Sequence, residues 1–213
     1  MTRVVHYVEM ELEKGSEKVF EWVGRENFVT SMHTEPGTFL MVAGHEKNPR
    51  KARVFEIYAD EAAYETHRKS PQFQAYVDQV GPHLKKRELF ELKEEAFFEA
   101  EGPQTALDGE VLVRVQKVMT SGWDMDEFRE AVMEQLPPAF ERSKDLIGLY
   151  ATTWLEDERD WYFFEVYRFE AGKKPSMVRY LNGTKELVVN KKNWELNGPF
   201  MVSQGKDRAL VSD

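Results

Sequence analysis

The tetrapeptide Phe55-Glu56-Ile57-Tyr58 recurs 109 residues further on as Phe164-Glu165-Val166-Tyr167, and the surroundings of the two copies decide how the chain is organised. Gly37-Thr38-Phe39-Leu40 precedes the first copy as Gly148-Leu149-Tyr150-Ala151 precedes the second. Further out, each half opens on a β-rich stretch, Val4 to Met10 and Val111 to Val118. Helical stretches follow at Ser16 to Met32 and Asp124 to Arg142. There Val19, Phe20, Val23 and Phe128, Ala131, Val132 take the i, i+3, i+4 spacing of a buried stripe. Two strands come next in each half: Thr38 to Gly44 and Arg53 to Tyr58, then Leu149 to Leu155 and Trp161 to Phe169. Lys47-Asn48-Pro49 and Glu156-Asp157-Glu158 form their turns. A second helical stretch and a last strand, Lys86 to Leu92 and Pro199 to Ser203, complete a β-α-β-β-α-β order in both halves. The expectation is an α+β protein of two tandem ferredoxin-like domains, 1–100 and 110–205. A linker is expected at Glu101 to Gly109, and a loosely held polar tail from Gln204. One such unit leaves a sheet face bare. The two antiparallel sheets are therefore expected to face each other, as in a dimeric α/β barrel made within one chain.

The 213 residues carry 41% hydrophobic and 13% aromatic side chains, far too many for a disordered chain. Net charge is −9, shared as −4 over residues 1–100 and −5 over the rest. Neither half offers the basic footprint that phosphate backbones require, so nucleic acid is not an expected partner. The longest apolar run, Phe39 to Gly44, is too short to cross a bilayer. Glu9, Glu11 and Glu13 interrupt what would be the apolar core of a signal peptide. A cytoplasmic protein without membrane partners is expected. With no cysteine, thiolate metal sites and thiol nucleophiles are absent.

The stretch after Tyr58 carries the most chemistry. Asp60 suits an N-cap, Tyr64 and His67 stand three apart on one helical face, and Ser70-Pro71 restarts the helix one turn later. The restarted helix runs through Phe73, Tyr76, Val77 and Val80 to Gly81-Pro82. His67 has two readings, a base beside a built-in break or a half-buried ring packed for structure. An open cavity beside it favours the first and a solid wall the second. Glu56 lies mid-strand among apolar neighbours, either a site carboxylate or half of an ion pair with Arg53 or Arg168. His6, His33, His45 and His83 show no ligand spacing, so no metal is expected. No glycine-rich phosphate loop supports flavin or nicotinamide binding, and the expected cofactor set is empty.

The run from Glu35-Pro36-Gly37-Thr38-Phe39 to Ala63-Tyr64-Glu65-Thr66-His67-Arg68-Lys69-Ser70-Pro71-Gln72-Phe73 resembles the antibiotic biosynthesis monooxygenase family. It is most similar to the quinol monooxygenase branch, with its E-x-Y/W, A-Y-x-x-H and S-x-x-F elements, over about residues 2–95. The resemblance implies a cofactor-independent oxygenase of a quinol or other phenolic ring. It implies His67 and Glu56 as catalytic residues, and Tyr58, Tyr64, Phe39 and Phe73 around the substrate. The family's haem-degrading branch has residues that align here with Val8, His67 and Val77, which sets this chain apart from it. An isomerase branch shares the His67 position. A non-catalytic ligand-binding or interaction protein of the same fold is the competing reading. The second half has no histidine and lacks the helix motif at Met177 to Tyr180. It is therefore expected to be a non-catalytic partner, with further homodimerisation left open.

Overall fold

The computed structural model describes residues 2–106, 109–170 and 173–205. The chain is a mixed α/β protein that divides into two compact units interleaved along the sequence. The first takes the chain up to Glu91, the segment from Glu101 and the chain from Leu196 on; the second takes Leu92–Ala100 and Gly109–Glu195.

In the first unit the order is β1 (Val4–Leu12), α1 (Glu17–Thr34), β2 (Thr38–His45), β3 (Lys51–Tyr58), α2 (Glu61–Arg68) and α3 (Pro71–Val80). Residues 84–91 of β4 (Leu84–Glu99), then β5 (Gln104–Ala106) and residues 196–203 of the last strand complete it. β3 lies between β1 and β2, antiparallel to both, and β4 flanks β1. The register sets His6 opposite Glu56 and Val8 opposite Val54. Because side chains alternate between sheet faces, His6, Val8 and Met10 share one face with Val54 and Glu56. That face meets Phe20, Val23 and Phe28 of α1 in the core of the unit. Val5, Tyr7, Phe55 and Ile57, on the opposite face, are buried too.

The helix ends form as their sequences imply. The Asp60 side chain accepts the Ala63 amide at 2.9 Å, and the Ser70 hydroxyl accepts the Phe73 amide at 3.3 Å with Pro71 opening α3. At α1, by contrast, Ser16 turns its hydroxyl back to the Glu13 carbonyl and gives no cap bond. Gly37 lets α2 lie close to the turn before β2, since a Cβ there would fall 2.5 Å from the Ala63 Cβ. Gly37→Ala should cost about 1–3 kcal/mol through overpacking, read as a lowered denaturation midpoint. Adding Ala63→Gly should restore most of it; no recovery would remove this account.

In the second unit, β6 (Val111–Thr120), α4 (Met125–Arg142), β7 (Leu146–Trp154) and β8 (Asp157–Arg168) join residues 92–99 of β4 and 188–195 of β9 (Val188–Ser203). β8 pairs with both β7 and β6, and β4 with β7. The expected second helix does not form here. The described residues between β8 and β9 are irregular up to a 3₁₀ turn at Lys185–Leu187. Their backbone is held by side chains instead: the Tyr167 hydroxyl accepts the Val178 amide at 3.1 Å and Asp145 that of Ser176, also at 3.1 Å. Tyr180 is thereby driven into the core, 5.3 Å from the Phe163 ring.

Two further expectations are corrected. β4 and β9 have 16 residues each, far beyond the usual five or six, so each of the segments 1–100 and 110–205 gives the end of its last strand to the other unit. The expected linker contains β5, antiparallel to β9. Gln204 is not loosely held: its amide donates to the Phe39 carbonyl at 2.9 Å and its side chain to that of Thr38 at 2.7 Å. The tail beyond Gly205 lies outside the described residues.

Candidate functional site

Between the sheet and the helices of the first unit lies a cavity of about 480 Å³. Its walls are apolar and aromatic, among them Val8, Met10, Phe20, Phe28, Val54 and Phe73. His6, Glu56, Tyr64 and Arg87 bring polar groups into it. The size suits a small ring system, and the lining suits one that is flat and largely apolar.

Of the residues singled out from the sequence, Glu56, Tyr64 and Phe73 line this space together. His67, Tyr58 and Phe39 do not line it. Phe39 instead carries the Arg3 guanidinium 5.9 Å above its ring. Tyr58 is wholly buried between Glu56 and His67; burial and the nearby Glu56 charge push its phenol well up. The ion pairs considered for Glu56 are not formed. Arg53 turns to Glu9 and Glu46, both at 2.6 Å, and among the described residues Glu56 has no salt bridge.

Burial raises the Glu56 carboxyl above its ordinary value of 4.5, against a lowering pull from His67, Tyr58 and Arg87. The folded chain thus holds this proton more tightly than the unfolded one. The resulting stability is full below about pH 4.5 and is lost as pH rises through the folded value. Glu56→Gln should therefore raise the melting temperature at pH 7 and leave it nearly unchanged at pH 4. An unchanged or lowered Tm at pH 7 would show that the carboxylate is compensated after all. Opposite Glu56, His6 is pushed down to about 4 by burial and by Arg87, and stands as a neutral imidazole against the Tyr64 ring at 4.4 Å.

His67 sits just behind the cavity wall, fully buried in the last turn of α2. Its Nδ1 is 3.0 Å from Glu35 Oε2 and 3.2 Å from Ser31 Oγ. Gln72 Nε2 donates to Glu35 Oε1 at 2.5 Å, and Thr38 Oγ1 to Oε2 at 2.8 Å. Burial alone would raise the Glu35 carboxyl, but the hydrogen bonds from His67, Thr38 and Ser31 together hold it below the usual range. An ionised Glu35 assigns the neutral ring's proton to Nδ1, leaving Nε2 as a lone-pair acceptor. That nitrogen is buried and has no hydrogen-bond partner among the described residues. Tyr58 flanks the ring at 5.4 Å and Phe73 at 4.8 Å, so Phe73 touches both His67 and the cavity. An open cavity beside His67 and a closely packed His67 ring are thus both present. Glu35 is the partner that sequence reading missed, because 32 residues separate it from His67. His6 carried a usable signal, its place two residues before Val8 on an alternating strand.

Among the described residues no group of three or more His, Asp or Glu side chains is placed to hold a metal ion, and no helix is long and apolar enough to cross a membrane.

The fold and this site define a mixed α/β unit that encloses an aromatic-walled chamber backed by a histidine–carboxylate pair. Residues 3–79 match the family model of antibiotic biosynthesis monooxygenase, and the first unit accordingly carries a domain of that family. Over the whole chain, a candidate monooxygenase from Lactobacillus acidophilus NCFM superposes with a TM-score of 0.81 at 19% identity, covering 96% of this chain and 98% of that one. A candidate monooxygenase from Fusobacterium nucleatum gives 0.83 at 16% identity, covering 96% and 95%. An anthrone oxidase-like protein gives 0.57 at 8% identity, covering 100% and 98%. At these identities the likeness is one of fold. No curated protein matches the chain by sequence at a significant level.

Proposed function

We propose that the chain is a cofactor-independent monooxygenase that oxidises a quinol or other phenolic ring with O₂ in the first-unit cavity, the second ferredoxin-like unit being its non-catalytic partner. The observation that carries this reading is His67 Nε2, a buried, partnerless imidazole nitrogen whose tautomer is set by an ionised carboxylate, one side chain away from an aromatic-walled chamber. His67 takes the ring hydroxyl proton once the Phe73 ring swings aside. Between a free phenol and a free imidazole in water such a transfer is uphill by about 4.8 kcal/mol, a modest share of a barrier. An aliphatic alcohol would be out of reach. The phenolate passes an electron to O₂, the two radicals join in a carbon–oxygen bond, and the peroxide breaks down. One oxygen atom becomes a ring carbonyl and the other leaves as water. The phenol supplies both hydrogens and all four electrons, so no external reductant is needed.

The cavity position of Glu56 favours a second reading, in which this carboxyl, made more basic by burial, takes the proton directly. Oxygen uptake with a panel of quinols, run with and without air and corrected for autoxidation, tests the function. Stoichiometric uptake with ¹⁸O from ¹⁸O₂ in the product supports it. Saturable binding of the same quinols without turnover would make the chain a ligand-binding protein.

A further inference from the structure

The second unit has a recess of about 240 Å³ where the sequence lacks the family's histidine motif. Arg114, Gln116 and Tyr180 line it, with Arg179, Asn182 and Lys191 around them. Behind Arg114, Gln116 and Tyr180 lies Glu165, wholly buried, and that carboxylate is fully engaged. Arg114 Nη2 reaches Oε2 at 2.5 Å, Gln116 Nε2 donates to Oε1 at 2.5 Å, and the Tyr167 and Tyr180 hydroxyls donate as well. One negative charge is thus committed to one guanidinium. Two more cations, Arg179 and Lys191, close the rim, and neither forms a salt bridge among the described residues. Arg114 Nε is buried with no partner among the described residues. Arg114 is half-buried while Arg179 and Lys191 stand exposed at the rim, so three cations face one carboxylate, a local excess of two positive charges in a chain of net charge −9.

We propose that this recess, lined by Arg114, Arg179, Lys191 and the Gln116 amide, is a binding site for a small oxyanion, a carboxylate or phosphate group. Its volume is that of about eight waters, enough for such a group with a short body attached. The lining supplies charge-assisted donors in the kind of arrangement that these anions select. Desolvation and the Arg114 charge lower the Lys191 ammonium, against a raising pull from Glu165. The site is separate from the cavity chemistry, and its success or failure leaves the proposed reaction untouched.

The test titrates the intact protein with inorganic phosphate and with acetate, each against sodium chloride at matched ionic strength, by calorimetry and thermal shift. Saturable binding of phosphate or acetate beyond the chloride control is expected, and the stronger of the two names the group. Lys191→Glu should weaken it at least tenfold, Lys191→Arg should retain it, and Lys173→Glu, the same charge change on an exposed pair with Glu170, should leave it unchanged. Equal effects of all three salts would overturn the proposal. So would equal losses in the Lys191→Glu and Lys173→Glu proteins, which would make the effect one of net charge.

Discussion

His67→Ala should lower quinol-dependent oxygen consumption by roughly 10²- to 10⁴-fold, the range expected when a positioned general base is lost. The fold should survive it, because among the described residues the ring's polar bonds are to Glu35 and Ser31, and Thr38 and Gln72 still satisfy Glu35. Glu35→Gln keeps the shape but no longer fixes the proton on Nδ1. It should lower the rate, because the ring is then free to carry its proton on the nitrogen that must accept one. Glu56→Gln separates the two readings of the base. If His67 acts, this variant keeps most of its turnover and gains stability at pH 7; if Glu56 acts, it loses turnover while His67→Ala keeps it. Equal rates in wild type and in both variants, after subtracting autoxidation, would remove acid–base catalysis from this site.

How much of this was legible in the sequence depended on range. The caps at Asp60 and Ser70 were legible because each is a contact three residues long. The first-unit strands were legible as short β-rich runs bounded by turn residues, since β1 and β3 are buried on both faces. β4 ran seven residues past its expected end because Lys93-Glu94-Glu95 reads as solvated surface. In the structure Glu95 is instead enclosed by Arg129 and Thr153, from elements far along the chain. The missing helix after β8 was illegible for the opposite reason. Met177 to Tyr180 is compatible with a helix, but Tyr180 is needed deep against Glu165, and no local pattern announces that. The site divides in the same way. Tyr64, Phe73 and Glu56 followed from one strand–helix motif, whereas the His67–Glu35 pair and the cross-strand His6–Glu56 placement exist only once the sheet and helices close.

Glu165→Ala should destabilise the second unit by about 3–5 kcal/mol, the penalty for stranding one member of a buried ion pair. For a chain of this length that is roughly 6–20 °C in melting temperature. Glu56 and Glu165 occupy the same place in a repeated tetrapeptide, yet their surroundings are opposed. Glu56 meets a cavity and no cation in contact, so its charge is a cost that folding bears. Glu165 meets Arg114, Gln116 and two tyrosine hydroxyls, so its charge is what lets those four groups be buried. Removing it leaves a half-buried guanidinium and three polar groups without their acceptor. The pair of substitutions therefore has opposite signs at pH 7: Glu56→Gln stabilises and Glu165→Ala destabilises. A double variant, Glu165→Leu with Arg114→Met, removes both charges and should recover much of the loss, as apolar replacements of buried pairs do. Should Glu165→Ala prove neutral, the network would be ornamental, and burial rather than pairing would set the stability of the second unit. A loss in Glu165→Ala with recovery in the double variant makes the second copy of the motif a structural clasp.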